Sequence, residues 1–188
     1  RPGLRIFVAG CAGEPLALLD AAQSSARDWS GTSFVQVPIP GVNRRDLSLM
    51  APLEALFTTP ELRPALAAGR ARYRPLHYSA TAAYLAQEAR CDMAWFRCSA
   101  PQGGRVSLAL AHDFVPAVAA GGAALVGVVD PDLPFVQDGV TFDVAALYAL
   151  VDGPSATPEL SSDRSDMALH ALGRNAATLV RPGDTLQA

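Results

Sequence analysis

Short apolar runs alternate with helix-period segments along this chain, and that alternation limits its fold more than any other feature. Leu4–Gly10 (LRIFVAG) is apolar, short and closed by Gly, the pattern of a buried strand. Glu14–Arg27 follows with Leu16, Leu19, Ala22 and Ala26 at helical spacing. Pro15 suits a first helical turn, where its missing N–H costs nothing. Ser33–Pro38 (SFVQVP) then alternates as a strand. Strand, helix, strand is the unit of a parallel sheet.

The alternation continues. Ile39–Thr58 is mixed, with a loop at "PIPGVNRRD". Thr59-Pro60-Glu61 reads as a helix start, with Thr as the cap and an acid in the first turn. The letters TPEL recur at Thr157–Leu160, which is helix grammar and not a repeat. Ser79 is expected to cap a helix over Ala80–Arg90. Asp92–Cys98, Arg105–Ala111 and Ala123–Val129 read as strands, the last apolar enough for a sheet centre. A short helix is expected up to Ala120 and an outer strand within Val144–Val151. A final helix spans about Asp163 to Leu179, with Leu169, Leu172, Ala176 and Leu179 on one stripe. The fold class is therefore α/β, a largely parallel open sheet flanked by helices. The Ser/Pro-rich Asp152–Asp163 is the one plausible internal boundary.

Composition narrows the function. A chain of 188 residues can bury roughly 70% of its unfolded surface, enough for a real core. A net charge of −3 argues against a nucleic-acid partner, which needs a basic surplus. No apolar run approaches the roughly 20 residues that span a bilayer, so no membrane partner is expected. The start lacks a signal peptide's apolar core, and Cys11, Cys91 and Cys98 are an odd set without C-x-x-C spacing. The expectation is a reducing, cytoplasmic location, with the cysteines as small buried hydrophobes.

Four stretches carry candidate chemistry. "GCAGEP", Gly10–Pro15, sits between a strand and a helix, where backbone N–H groups can hold an anion. It lacks the third glycine and the following acid of a dinucleotide fingerprint, which favours an ordinary tight turn. In "GRARYRPLHYS", Gly69–Ser79, an extended backbone would place Arg70, Arg72 and Arg74 on one face and Tyr73, His77 and Ser79 on the other. That is a phosphate-facing rim backed by a polar pocket, or an edge strand with solvated arginines. Gly103-Gly104 joins two apolar runs and reads as a tight turn. Asp130 and Asp132 lie beyond a strand's carboxyl end, but no His or third acid is fixed beside them, so no metal is expected. The histidines His77, His112 and His170 sit in no metal or nucleophile motif.

Taken together, four segments resemble the acetyl-CoA hydrolase/transferase family, the group that includes the 4-hydroxybutyrate and succinyl/acetate coenzyme A transferases. They are Gly69–Leu85, Cys91–Leu110, Gly121–Gly139 and Asp163–Ala188, which together cover most of the chain in the family's order. The most specific is the ending, Pro182-Gly183-Asp184-Thr185-Leu186-Gln187, which in the family leads into a Gly-Ile-Gly loop. The resemblance implies that residues 1–188 are the first of two similar α/β domains, the second beginning just after Ala188. It implies a cleft between the domains, a nucleophilic Glu in the second, and an inactive chain when the first stands alone. No catalytic residue is therefore assigned here. It also implies no resident cofactor: a coenzyme A thioester is the substrate, a small carboxylate the acceptor, and the assembly a homo-oligomer. Tyr73, His77, Tyr78 and Ser79 with Gln102, Gly103 and Gly104 are the residues expected to line the acyl-CoA cleft. Arg70, Arg72 and Arg74 are expected to form a rim facing the coenzyme's phosphates. Ser99–Ala109 departs from the family's pattern: an acid is missing, the spacing is shorter, and Ala109 stands where the last glycine falls. The alternative is a non-catalytic nucleotide- or small-molecule-binding module, or a structural interaction domain.

Overall fold

A computed structural model describes residues 3–154, 156–159 and 167–186. The chain divides into two compact units, Arg1–Pro158 and Glu159–Ala188.

In the first unit the elements are β1 (Arg5–Val8), α1 (Leu16–Ser24), β2 (Ser33–Gln36), β3 (Leu53–Ala55), α2 (Arg63–Ala67), β4 (Ala71–Tyr73) and α3 (Tyr78–Gln87). They continue with β5 (Met93–Ser99), β6 (Arg105–Ser107), α4 (Val115–Ala120), β7 (Ala124–Asp130), β8 (Thr141–Asp143) and β9 (Ala149–Asp152). Seven strands form one sheet in the order β4-β3-β2-β1-β5-β7-β9, with every pairing parallel. Successive side chains alternate between its faces. Ile6, Val8, Phe34 and Trp95 pack with Leu19 of α1 and Ala65 of α2. Phe7, Val35, Ala94 and Phe96 pack on the other face with Leu85 of α3 and Val118 of α4. Both faces being covered is why the strands read as unbroken apolar runs.

Several expectations change in detail. Arg105–Ala111 is not a strand of the main sheet: only Arg105–Ser107 is extended, and it pairs antiparallel with β8 in a separate two-stranded sheet. The outer strand within Val144–Val151 is shorter, because a 3₁₀ turn takes Val144–Ala146 before β9 begins. Strand β3 lies in the mixed stretch and is three residues long, too short to show a period. Pro15 precedes α1 as its cap rather than lying in the first turn. Thr59 makes no side-chain cap; Pro60–Leu62 is a 3₁₀ turn leading into α2. Thr157-Pro158-Glu159 starts no helix, and Leu160 lies outside the described residues. Strand β7 is interior, but the sheet's centre is β1.

The second unit holds α5 (Met167–Ala177); the expected start of that helix near Asp163 lies outside the described residues. No helix of the described residues is long and apolar enough to cross a membrane. The cysteines are free; Cys91 and Cys98 are buried, and burial pushes their thiols up to about 11 and about 12.

Among the described residues, one ion pair is wholly buried. Arg97 of β5 is 1% exposed and Asp130, at the end of β7, is 0% exposed; Arg97 Nε donates to Asp130 Oδ2 at 3.0 Å. Asp130 Oδ1 also accepts from Asp132 N, and the guanidinium reaches Thr157 Oγ1 at 3.3 Å. Removing one partner strands the other charge in the core. Arg97→Met should lower stability by about 3–5 kcal/mol in urea unfolding, and adding Asp130→Leu should recover much of it.

Candidate functional site

Reading across the sheet, strand order reverses between β1 and β5. In open parallel sheets such a reversal leaves a crevice beyond the carboxyl ends of the strands, because the connections diverge to opposite faces. Here the crevice is bordered by the turn after β1 and the long connection after β5.

The turn is a 3₁₀ segment, Cys11–Gly13. Its glycines answer to packing. A Cβ on Gly10 would lie 2.4 Å from the Val37 carbonyl oxygen, and one on Gly13 would lie 2.9 Å from that of Ala111. Its N–H groups are also engaged within the fold. Gly10 N donates to Asp113 Oδ2 at 2.8 Å, and Cys11 N donates to Asn43 Oδ1 at 2.8 Å. Asn43 returns a bond to the Cys11 carbonyl and accepts from Ile39 N. The tight-turn reading of Gly10–Pro15 therefore holds, and the first two N–H groups are not open to an anion.

Around this turn lies a shell of buried polar groups. Glu14 is 2% exposed and accepts from Gln36 Nε2 at 3.0 Å; burial raises its pKa against hydrogen bonds from Asn43 and Gln36. Arg97 Nη1 lies 3.5 Å from the Ala12 carbonyl oxygen. Ser99 and Ser107 are buried, and Ser107 N donates to Ser99 Oγ, tying β6 to the end of β5. Ser107 Oγ accepts from Ala109 N and Val136 N.

The residues singled out from the sequence fall into separate groups. His77 caps α3: its Nδ1 accepts from Ser79 N and lies 2.7 Å from Ser79 Oγ. Ser79 is thus in the first turn and not the cap, because the helix begins two residues earlier than its serine suggests. Tyr78 stacks edge-on between Phe57 and Phe114, with centroids 6.3 and 5.3 Å away, and stays 58% exposed. Tyr73 is exposed at the end of the edge strand β4. Gln102 and Gly103 line a cavity of about 350 Å³ with Arg105, Phe135, Gln137 and Thr141. Gly103 and Gly104 have φ of +56° and +76°, and Gln102 and Arg105 exchange both backbone bonds across them. This two-residue reversal needs left-handed backbone at both positions. No hydrogen bond or ring contact among the described residues joins the Tyr73–Ser79 group to the Gln102–Gly104 group.

The arginines are engaged unequally. Arg74 pairs with Glu54 at 3.1 Å and lies over the Tyr84 ring. Arg70 meets Asp46 at 3.4 Å, while Arg72 is exposed on β4. Burial opposes ionisation of Glu54, but bonds from Tyr84 and Arg74 and the Arg5 charge outweigh it and hold its pKa below the ordinary value.

Ala109 has φ of +51°, a region where a Cβ is strained and glycine is not. Ala109→Gly should therefore stabilise the chain by about 1 kcal/mol in urea unfolding.

No family model matches the chain. It is 23% identical over 188 residues to a 4-hydroxybutyrate coenzyme A transferase of Clostridium kluyveri, covering 97% of this chain and 44% of that protein. In structure it matches RipA from Yersinia pestis with a TM-score of 0.81 at 20% identity, covering 96% of this chain and 46% of that one. It also matches a 4-hydroxybutyrate CoA-transferase from Porphyromonas gingivalis, with a TM-score of 0.64 at 19% identity, covering 100% and 44%. The chain thus spans about half the length of the proteins it matches. The resemblance read from its segments is borne out: in sequence this chain is similar to a 4-hydroxybutyrate coenzyme A transferase, and in fold to that group.

Proposed function

We propose that this chain forms one wall of an acyl-CoA cleft in a coenzyme A transferase or acyl-CoA hydrolase, and that the opposite wall and the nucleophilic Glu belong to a second domain. The observation that carries this reading is similarity along nearly the whole chain to less than half of a 4-hydroxybutyrate coenzyme A transferase. The crevice at the strand-order reversal, where open parallel sheets bind ligands, supports that reading.

The chemistry explains the division of labour. A carboxylate attacks the thioester carbonyl, coenzyme A leaves as the thiolate, and an acyl-carboxyl anhydride forms. The thiolate then attacks the anhydride at the enzyme carboxyl, giving an enzyme thioester and releasing the first acid. A second carboxylate accepts the coenzyme by the reverse steps; in a hydrolase, water takes its place. A carboxylate is a modest nucleophile, so the gain comes from positioning and from stabilising the oxyanion. Contacts far from the reacting carbon contribute when they are used to hold that geometry.

In this reading Tyr73, His77, Tyr78 and Ser79, together with Gln102, Gly103 and Gly104, line this chain's wall of the cleft. Arg72 leads the phosphate rim, since Arg74 and Arg70 already have carboxylate partners. Exposed charges gain only about 1 kcal/mol per pair in water, so the rim steers more than it binds. A cytoplasmic setting and self-association, read by light scattering, complete the proposal. The nucleotide-binding alternative rests on the parallel sheet, which is present, and on the Gly10–Gly13 turn, whose Gly10 and Cys11 N–H groups are held by Asp113 and Asn43.

The test is coenzyme A transfer from acetyl-CoA to a small carboxylate, with the chain alone and with it joined to the second half of a 4-hydroxybutyrate coenzyme A transferase. The expected result is no turnover alone and measurable turnover when joined. Robust transfer by the chain alone would overturn the assignment of the nucleophile to another domain.

A further inference from the structure

The face of the sheet that carries α1 holds a cavity toward the amino ends of the strands. Leu19 of α1 and Ala65 of α2 pack over the β1–β4 side of that face. Beyond them lies a cavity of about 370 Å³, floored by Met93 and Trp95 of β5, Val126 of β7 and Ala149 of β9. Trp95 lies beside Val126 in the ladder, and Val126 beside Ala149, so the floor runs across three strands. Met93 and Ala149 are the first residues of their strands, which sets the cavity away from the crevice at the carboxyl edge. Its volume is at the small end of the roughly 300–1,000 Å³ of ligand pockets, and an apolar lining with few polar groups is the usual make-up of one.

One wall is fixed by contacts within the fold. Trp29, in the connection between α1 and β2, donates its indole N–H to the Ala22 carbonyl at 3.3 Å. Its ring meets Trp95 edge-on at 6.0 Å between centroids, and Phe34 at 6.1 Å. The Arg27 guanidinium lies over the Trp29 ring, 5.0 Å from its centroid, where the ring attracts a cation. Arg27 enters none of the ion pairs among the described residues. The next carboxylate along the chain, Asp28, takes the N–H and hydroxyl of Ser30 instead, at 2.8 and 2.6 Å. An exposed cation is thus held at the mouth of an apolar cavity, with N–H groups suited to a carboxylate.

We propose that this cavity binds a small amphiphilic monocarboxylate, with a ring or short alkyl body against Trp95, Met93 and Val126 and its carboxylate on the Arg27 guanidinium. Charge decides the occupant. An ammonium group would meet like charge, and the face of Trp29 that could attract it is already taken by Arg27. A neutral body of the same shape gains the apolar contacts and lacks the charge-assisted hydrogen bonds. The site lies toward the other end of the strands from the proposed acyl-CoA wall, and it stands whether or not the chain binds a coenzyme.

Both tryptophans of the chain line the cavity, so their indole N–H signals report on it directly. The experiment is NMR titration of the ¹⁵N-labelled full chain with phenylbutyrate, phenylbutanol and phenylbutylamine, which share one body and differ in head group. The expected result is that both indole signals shift together with the amides of Met93 and Ala149. The acid should bind roughly fivefold tighter than the alcohol, and the amine weakest of the three. In Arg27→Met the acid should lose that advantage while the alcohol binds as before, since Arg27 is exposed and its loss leaves the core intact. Indole signals that stay still at millimolar phenylbutyrate, or equal affinity for acid and alcohol in the wild-type chain, would overturn the proposal. So would indole shifts on raising the protein concentration that phenylbutyrate does not reverse, which would give the cavity to a second copy of the chain.

Discussion

A fully parallel sheet with both faces covered along its inner strands leaves its strand ends and its two edge strands, β4 and β9, to meet water, and the rest of this structure depends on that constraint. Every connection crosses a face as a helix or loop and returns to the same edge. The sheet is also divided by its own strand order: β1 and β5 sit side by side while their connections leave in opposite directions. Apolar side chains fill both faces, so polar chemistry gathers at the carboxyl edge.

That edge is crowded. Three loops meet above β1, and two of them approach the turn so closely that Gly10 and Gly13 have no room for side chains. The N–H groups of Gly10 and Cys11 are satisfied from within, by Asp113 and Asn43, while Glu14, Gln36, Arg97 and Asp130 bury further polar atoms beneath. Burial of this kind is costly unless each group finds a partner, and fully partnered networks fix one arrangement of the loops. The aromatic row Phe57, Tyr78 and Phe114 stays partly in water above this rigid base. A stiff polar floor with an apolar lip suits a surface that positions a ligand for chemistry supplied from across a cleft.

Much of this was legible in the sequence. The apolar runs of β1, β2, β5 and β7 and the periodic stretch of α1 declared the parallel sheet. Three things escaped for physical reasons. Strand β3 is three residues long, and β6 is equally short, with the Ser107 N–H bonded to Ser99 Oγ and its strand partner in a separate sheet. The polar floor escaped because its members are far apart in the chain. Asp113 and Gly10 are 103 residues apart, and nothing local marks Asn43. One signal was present: Arg97 interrupts the apolar run "DMAWFRC", and a charge within a buried strand calls for a buried partner, here Asp130 at the end of the neighbouring strand. The departure at Ala109 also becomes intelligible, since the left-handed backbone suited to glycine persists there although glycine does not.

The central claim is that the carboxyl edge at the β1–β5 reversal is the face turned to an acyl-CoA. Chemical-shift mapping of the labelled chain with acetyl-CoA tests it most directly. The largest changes are expected at Tyr73–Ser79 and Gln102–Gly104, with smaller ones at Gly10–Gly13. Changes confined to the opposite edge, around Gly31 and Asp92, or none at millimolar ligand, would contradict it.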